Sequence, residues 1–204
     1  MSTLFALSFM LVFATPPQTA TTHLPQAALD STTARLDSSA VVKLLEQVRN
    51  GACPLPGLAT GGQPDSSTLA ALANNGFRIV LDLRAPEEIR GFEETRVALA
   101  LGLRYLAFPV TSESLSDSTF DSFRALLRAN RSEQLFVHCA SGNRVGAMLL
   151  PCLVLDQGWS VERATTMAQR VGMRSEDLRA RALLYITSMS RGRDDPAAQP
   201  SRNR

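Results

Sequence analysis

The sequence predicts an α/β fold, with a mainly parallel central sheet flanked by helices. Three observations carry that prediction. Short apolar runs with strand character alternate along the chain with longer amphipathic stretches of helical period. The run Phe77 to Leu83 is largely apolar without alternation, as expected of a strand covered on both faces. The chain has 204 residues, 45% hydrophobic and 20% charged, enough for one domain with a full core plus tails.

Each element has a local justification. Ser38 or Ser39 caps a helix carrying Val41, Val42, Leu44, Leu45 and Val48. Leu58-Ala59-Thr60 is a short strand before Gly61-Gly62, and Cys53-Pro54 ahead of it reads as loop. Asp65 caps a helix whose apolar face is Leu69, Leu72 and Ala73, stopped by Asn74-Asn75-Gly76. After the strand Phe77 to Leu83, residues Glu88 to Leu101 read as a helix closed by Gly102. Leu103 to Val110 reads as the next strand. Thr119 to Ala129 is an amphipathic helix presenting Phe120, Phe123, Leu126 and Leu127. Leu135 to His138 is a short buried strand, followed by helices at about 144–156, 160–171 and 175–189.

The ends read differently. Leu4 to Ala14 is apolar but rises only about 16 Å as a helix, roughly half a bilayer core, so it makes no stable membrane span. It has the length of a signal-peptide core, with cleavage after Ala14 or Ala20, although no Lys or Arg precedes Arg35. Residues 1–20 are therefore expected to be a signal peptide, and the protein exported to the periplasm or secreted. The alternative is a cytoplasmic protein with an N-terminal extension. Residues 21–37 read as linker, 38–190 as the folded domain and 191–204 as a disordered tail.

Composition removes several functions. Net charge is +2, and the 21 basic residues, all Arg except Lys43, form no block, so no nucleic-acid partner is expected. Three cysteines are too few for a disulfide scaffold. Two histidines without a Cys-x-x-Cys pair make no metal set, and no cofactor is implied.

The chemistry concentrates in Val137-His138-Cys139-Ala140-Ser141-Gly142-Asn143-Arg144-Val145-Gly146. A buried strand ends in Cys139, a tight turn follows, and Arg144 opens a helix. Ligands of open α/β sheets bind just beyond the carboxyl ends of strands. There the amides of Ala140, Ser141, Gly142 and Asn143 can curl into an anion-binding nest, reinforced by the helix N-terminus. Gly142 lets the backbone turn. The same field favours a thiolate over a thiol. Arg144 offers a fork of donors to an oxyanion. His138 supports the loop from the opposite side of the strand. The alternative is a small core cysteine beside a helix-start charge.

His-Cys ahead of a glycine turn and Arg is the pattern of protein tyrosine and dual-specificity phosphatases, which place five residues between Cys and Arg. The four residues between Cys139 and Arg144 match the spacing of rhodanese sulfurtransferases. The wider order includes Thr60-Gly61-Gly62-Gln63-Pro64, Gly76 through Arg84, Gly102-Leu103-Arg104-Tyr105 and Phe108-Pro109-Val110, then the cysteine loop. Over about residues 50–172 this resembles the beta-lactamase-hydrolase-like phosphatase domain, a bacterial branch near the dual-specificity phosphatases that is also described as a sulfurtransferase. The resemblance implies a phosphatase-like fold, Cys139 as nucleophile and Arg144 as oxyanion clamp.

Three departures stand out. The loop is one residue shorter, Val145 occupies the position where phosphatases place Ser or Thr, and the expected general-acid Asp is missing after Val110. Glu113 and Asp117 are the candidate general acids, although Asp117 and Asp121 also fit the first turn of a helix. Arg84, at the end of a central strand, either contacts the substrate anion or pairs with Glu87 or Glu88.

The expected activity is hydrolysis of a phosphomonoester through a phosphocysteine. The alternatives are sulfur transfer from a sulfur-donor substrate through a Cys139 persulfide, and a non-catalytic anion-binding module. Cys53 would act as a resolving thiol if close to Cys139. Cys152 is expected in the core.

Overall fold

The computed structural model describes residues 38–111 and 113–194. The signal peptide and linker expected for residues 1–37 lie outside the described residues.

The elements run α1 (Ser38–Glu46), β1 (Ala52–Leu55), β2 (Leu58–Gly61), α2 (Ser66–Asn74), β3 (Ile79–Asp82), α3 (Glu94–Ala100), β4 (Arg104–Ala107), α4 (Asp117–Ala129), β5 (Leu135–His138), α5 (Asn143–Pro151), α6 (Val161–Val171) and α7 (Glu176–Asp194). The sheet order is β1-β2-β5-β3-β4. β2, β5, β3 and β4 are mutually parallel, and β1 is an antiparallel edge. The mainly parallel sheet expected from the strand and helix alternation is present.

Register decides where the site forms. Gly61 aligns with His138, His138 with Asp82, and Asp82 with Ala107. The four parallel strands therefore end in one row, and the segments leaving them share one edge. Alternation then sorts side chains between two cores. Leu135, Val137 and Cys139 join Ile79 and Leu81 in the cluster under α4–α7. Phe136 joins Val80 and Ala59 in the cluster under Val41 and Leu45 of α1 and Leu69 and Leu72 of α2.

Local signals explain most boundaries. The Asp65 carboxylate accepts from Thr68 N at 2.7 Å, capping α2. Ser116 and Thr119 form a reciprocal capping box at α4.

Four expectations need correction. Cys53 and Pro54 lie in β1 rather than in a loop; an edge strand tolerates proline because one face of its ladder is unpaired. The helix expected from Glu88 begins only at Glu94. Before it, Gly91 takes φ +75, and the Arg90 guanidinium donates to the carbonyls of Ala85, Pro86 and Glu88, closing residues 85–90 on themselves. The helix after the cysteine loop changes to a π-helical turn at Cys152–Asp156, just past Pro151, which has no N–H for the helical ladder. Finally, α7 continues to Asp194, four residues into the expected tail; extending an existing helix needs no new nucleus. The rest of that tail lies outside the described residues.

Candidate active site

Cys139 follows the last residue of β5 and is 1% exposed. The Gly142 amide donates to its sulfur at 3.1 Å, so the loop closes around the thiol as a nest. Gly142 caps α5 at φ +86, and a Cβ there would stand 2.1 Å from the Val171 carbonyl oxygen. Gly172 faces it from α6 at φ +119, where a Cβ would meet the Ser141 oxygen at 2.7 Å. No other residue fits either position without moving backbone.

Neighbouring segments hold the loop's carbonyls outward. Gln63 N donates to the Ala140 oxygen at 3.3 Å, and Asn50 Nδ2 to the Ser141 oxygen at 2.8 Å. The Asn143 side-chain oxygen accepts from Arg174 N at 2.7 Å and Ser175 N at 3.1 Å, tying the loop to the entry of α7. With the Ala140 and Ser141 carbonyls engaged elsewhere, the Gly142 amide is turned toward the Cys139 sulfur at the N-terminus of α5. Gln63, in the tight turn Gly61-Gly62-Gln63 at the end of β2, thus buttresses the loop.

Arg144 projects from the first turn of α5. Its Nη1 and Nη2 donate to Glu88 Oε1 and Oε2 at 2.5 and 2.7 Å, a bidentate pair. Nη1 also donates to the carbonyls of Val110 at 3.2 Å and Leu83 at 3.3 Å. The Glu88 hydrogen bonds raise the Arg144 pKa, burial opposes this, and the adjacent Cys139 sulfur adds to the rise. The same bonds hold the Glu88 carboxyl below the usual range. Sequence reasoning missed this role for Glu88, having matched Glu87 and Glu88 with Arg84. The loop that replaces the expected helix over residues 88–93 is what frees Glu88 to reach across.

Arg84 does not contact the cleft. It is 1% exposed, donating through Nε and Nη2 to Asp82 at 2.9 Å each and through Nη2 to Glu94. This corrects the expected substrate contact: the side chain turns back under the sheet edge, where two buried carboxylates hold its Nε and Nη2. Tyr105 OH donates to Asp82 at 2.6 Å. Burial works against ionisation of Asp82, but Arg84, then His138 and Tyr105, outweigh it and bring its pKa down to about 2. Burial first, and then Asp82, push Tyr105 up to about 12.

His138 is fully buried, on the strand face opposite Cys139, as alternation requires. Its ring stacks on Phe136, and Nε2 lies 2.7 Å from Glu94 Oε1, out of line for a hydrogen bond. Among the described residues Asp82, Glu94 and His138 bring ligand atoms within 4.8 Å of one another. The Arg84 guanidinium already supplies a cation between those two carboxylates.

A cleft of about 660 Å³ opens beside Arg144, bordered by Asn143, Glu88, Glu113, Ser175 and Asp177. Glu113 is exposed on its rim. Asp117 does not line it; its carboxylate accepts from Arg181 at 2.6 Å in the first turn of α4. Asp121 accepts from Tyr185 OH. Ser175 and Asp177 carried no sequence signal, because only the docking of Asn143 on residues 174–175 brings α7 to the loop.

The other thiols lie apart. Cys53 is exposed on β1, two strands from β5. Two strand spacings make roughly 10 Å, beyond disulfide reach. Cys152 is buried and donates to the Met148 carbonyl, and burial pushes its pKa strongly up.

Residues 55–184 match the family described as DSP-PTPase phosphatase fused to NAD+ kinase. The chain belongs to this family. Two beta-lactamase hydrolase-like proteins of Xylella fastidiosa are similar to it: that of strain 9a5c is 24% identical over 64% of the chain, and that of strain Temecula1 30% identical over 48%. The matches span 36% and 24% of the length of those relatives. Among solved structures, a DUF442 protein of Shewanella putrefaciens CN-32 superposes with a TM-score of 0.61, at 19% identity over 72% of this chain and 97% of that one. TpbA of P. aeruginosa, solved as a Cys-to-Ser variant with phosphotyrosine, gives 0.54 at 20% identity over 68% and 83%. The family's phosphatase-like α/β fold is thus the fold of this chain.

Proposed function

We propose that this protein is a cysteine-dependent phosphatase acting on phosphomonoesters through a phosphocysteine. The observation that carries the proposal is the loop itself. Cys139 Sγ accepts from the Gly142 amide inside a nest, and the Arg144 guanidinium borders both that sulfur and the open cleft. The Cys139 thiolate attacks phosphorus in line; a P–S bond forms and the ester P–O bond breaks. Arg144 and the amides of Ala140, Ser141, Gly142 and Asn143 hold the equatorial oxygens. Water then attacks phosphorus, the P–S bond breaks, and thiolate and inorganic phosphate are released.

Of the two candidate proton donors, Asp117 is tied to Arg181, and Glu113, which lines the cleft, is held below the usual carboxylate range, so neither is well poised to protonate the leaving alcohol. A general acid typically contributes about 10²–10⁴-fold, so an imperfectly placed one gives a slow enzyme rather than an inert one. Phosphotyrosine in the TpbA complex is a ligand of the class proposed here.

The test is phosphate release from an aryl phosphate, beside Cys139→Ser. Vanadate-sensitive turnover that the variant loses is the expected result. The four-residue spacing between Cys139 and Arg144 favours sulfur transfer as the second reading. Cys139-dependent thiocyanate from thiosulfate and cyanide, without phosphate release, would replace the phosphatase reading with it. Phosphate binding that survives Cys139→Ser without any turnover would instead make the loop a binding module.

A further inference from the structure

Of the residues that line the cleft, the chemistry above uses Asn143 and Arg144 and leaves the rest of the lining unexplained. Their charge is unusual for a site that receives a phosphate dianion. The lining holds three carboxylates, Glu88, Glu113 and Asp177, against two cations, Arg144 and Arg181. Glu88 is committed to Arg144 by two hydrogen bonds. Arg181 is committed to Asp117, and its guanidinium lies 5.7 Å from the Phe120 ring centroid. Among the described residues, Glu113 and Asp177 have no ion-pair partner. Hydrogen bonds from its own backbone and from Thr111 hold Glu113 below the usual carboxylate range, so it is ionised at neutral pH.

The two unpaired carboxylates come from different elements, and each brings a leucine. Glu113 and Leu115 stand on the segment before α4, and Asp177 and Leu178 on the first turn of α7. An anionic leaving group would meet two uncompensated negative charges there. A cationic one would place its charge between Glu113 and Asp177 and its aliphatic stem on Leu115 and Leu178.

We propose that the cleft selects phosphomonoesters whose alcohol part carries positive charge on an apolar stem. This rests on the phosphatase reading of Cys139 and Arg144, and it names the substrate class of that same site.

The test compares three phosphotyrosine pentapeptides, flanked by Arg, by Ala or by Glu, on the full chain. Exposed pairs of this kind are each weak, so the expected ratio of kcat/KM between Arg- and Ala-flanked peptides is about three- to tenfold. The ratio should fall toward one at high salt and in Asp177→Asn, and the Glu-flanked peptide should rank last. Reading ratios makes the result independent of any general loss in the variant. The same three peptides are titrated onto Cys139→Ser, which reports the preference as a ratio of Kd values. Arg-flanked binding without turnover in the unaltered protein would overturn the hydrolase reading and leave the charge preference standing. Equal ranking, or preference for the Glu-flanked peptide, in both measurements would overturn the charge preference.

Discussion

Arg84 and Arg144 stand at the same edge of the sheet, and each is gripped by carboxylate, yet they serve opposite ends. Arg84 meets two carboxylates, Asp82 and Glu94, with its side chain fully covered. Arg144 meets one, Glu88, and keeps 18% of its side chain exposed on the cleft. The difference teaches that a guanidinium locked between two buried carboxylates is held inside the fold, whereas one that meets a single partly exposed carboxylate keeps a face toward open space. Burial sharpens the contrast. The charges removed from water around Arg84 must stay matched, whereas solvent reaches and screens the Glu88 pair.

The strongest way to break this comparison is Arg84→Met. It leaves Asp82 and Glu94 buried without their cation, and about 3–5 kcal/mol of stability should be lost in urea unfolding. Adding Asp82→Asn and Glu94→Gln to the same chain should recover part of that loss. A single variant as stable as the parent would show that the network carries no structural charge balance.

Arg144→Lys should do the reverse. Aryl-phosphate kcat/KM should drop about 10²–10³-fold, because an ammonium cannot offer the planar fork, while the urea midpoint stays near that of the parent.

Acid sharpens the picture of the buried site. Folding lowers the Asp82 pKa to about 2 from its ordinary 3.8. Its contribution to stability is therefore complete above about pH 4 and is lost as pH falls toward 2. The size is on the order of 2 kcal/mol. Unfolding followed from pH 6 to pH 2 should show this limb, and Asp82→Asn should flatten it.

The smallest effect is expected of Glu88→Gln. It keeps one hydrogen bond to Arg144 but removes the charge, so kcat/KM should fall about three- to tenfold with stability changed by at most about 1 kcal/mol. A larger loss of stability would place Glu88 with Asp82 and Glu94 among the structural anions.

Both arginines were visible in the sequence as residues just past strand ends, but their roles were not. Leaving β3 at the active edge, Arg84 fitted a substrate contact and a pair with Glu87 or Glu88 equally well. What displaces both is Glu94, ten residues on, which the late start of α3 turns inward beneath the sheet. Glu88 was taken for a helix residue, since Glu88 to Leu101 has helical composition. The Arg90 side chain captures the carbonyls of residues 85, 86 and 88 and so keeps that segment from joining α3. β1 was missed because four residues containing a proline carry little strand signal before pairing with β2 supplies it.

By itself the sequence determined the parts governed by near neighbours. An apolar strand, a cysteine, a left-handed glycine and a helix start follow from local backbone rules, and they set the order of parts in the Cys139–Arg144 loop. The α2 cap at Asp65 and the facing of Cys139 and His138 to opposite sides of β5 are of the same kind. The tertiary structure decided what depends on distant partners. The Glu88 pair with Arg144 spans 56 residues, the Asn50 hold on Ser141 spans 91, and the Asn143 link to the entry of α7 spans 31. Which carboxylate meets which arginine, and how much water reaches the pair, is set only when the strand ends align. Coulomb energies depend on separation and dielectric, and neither is written in the order of residues.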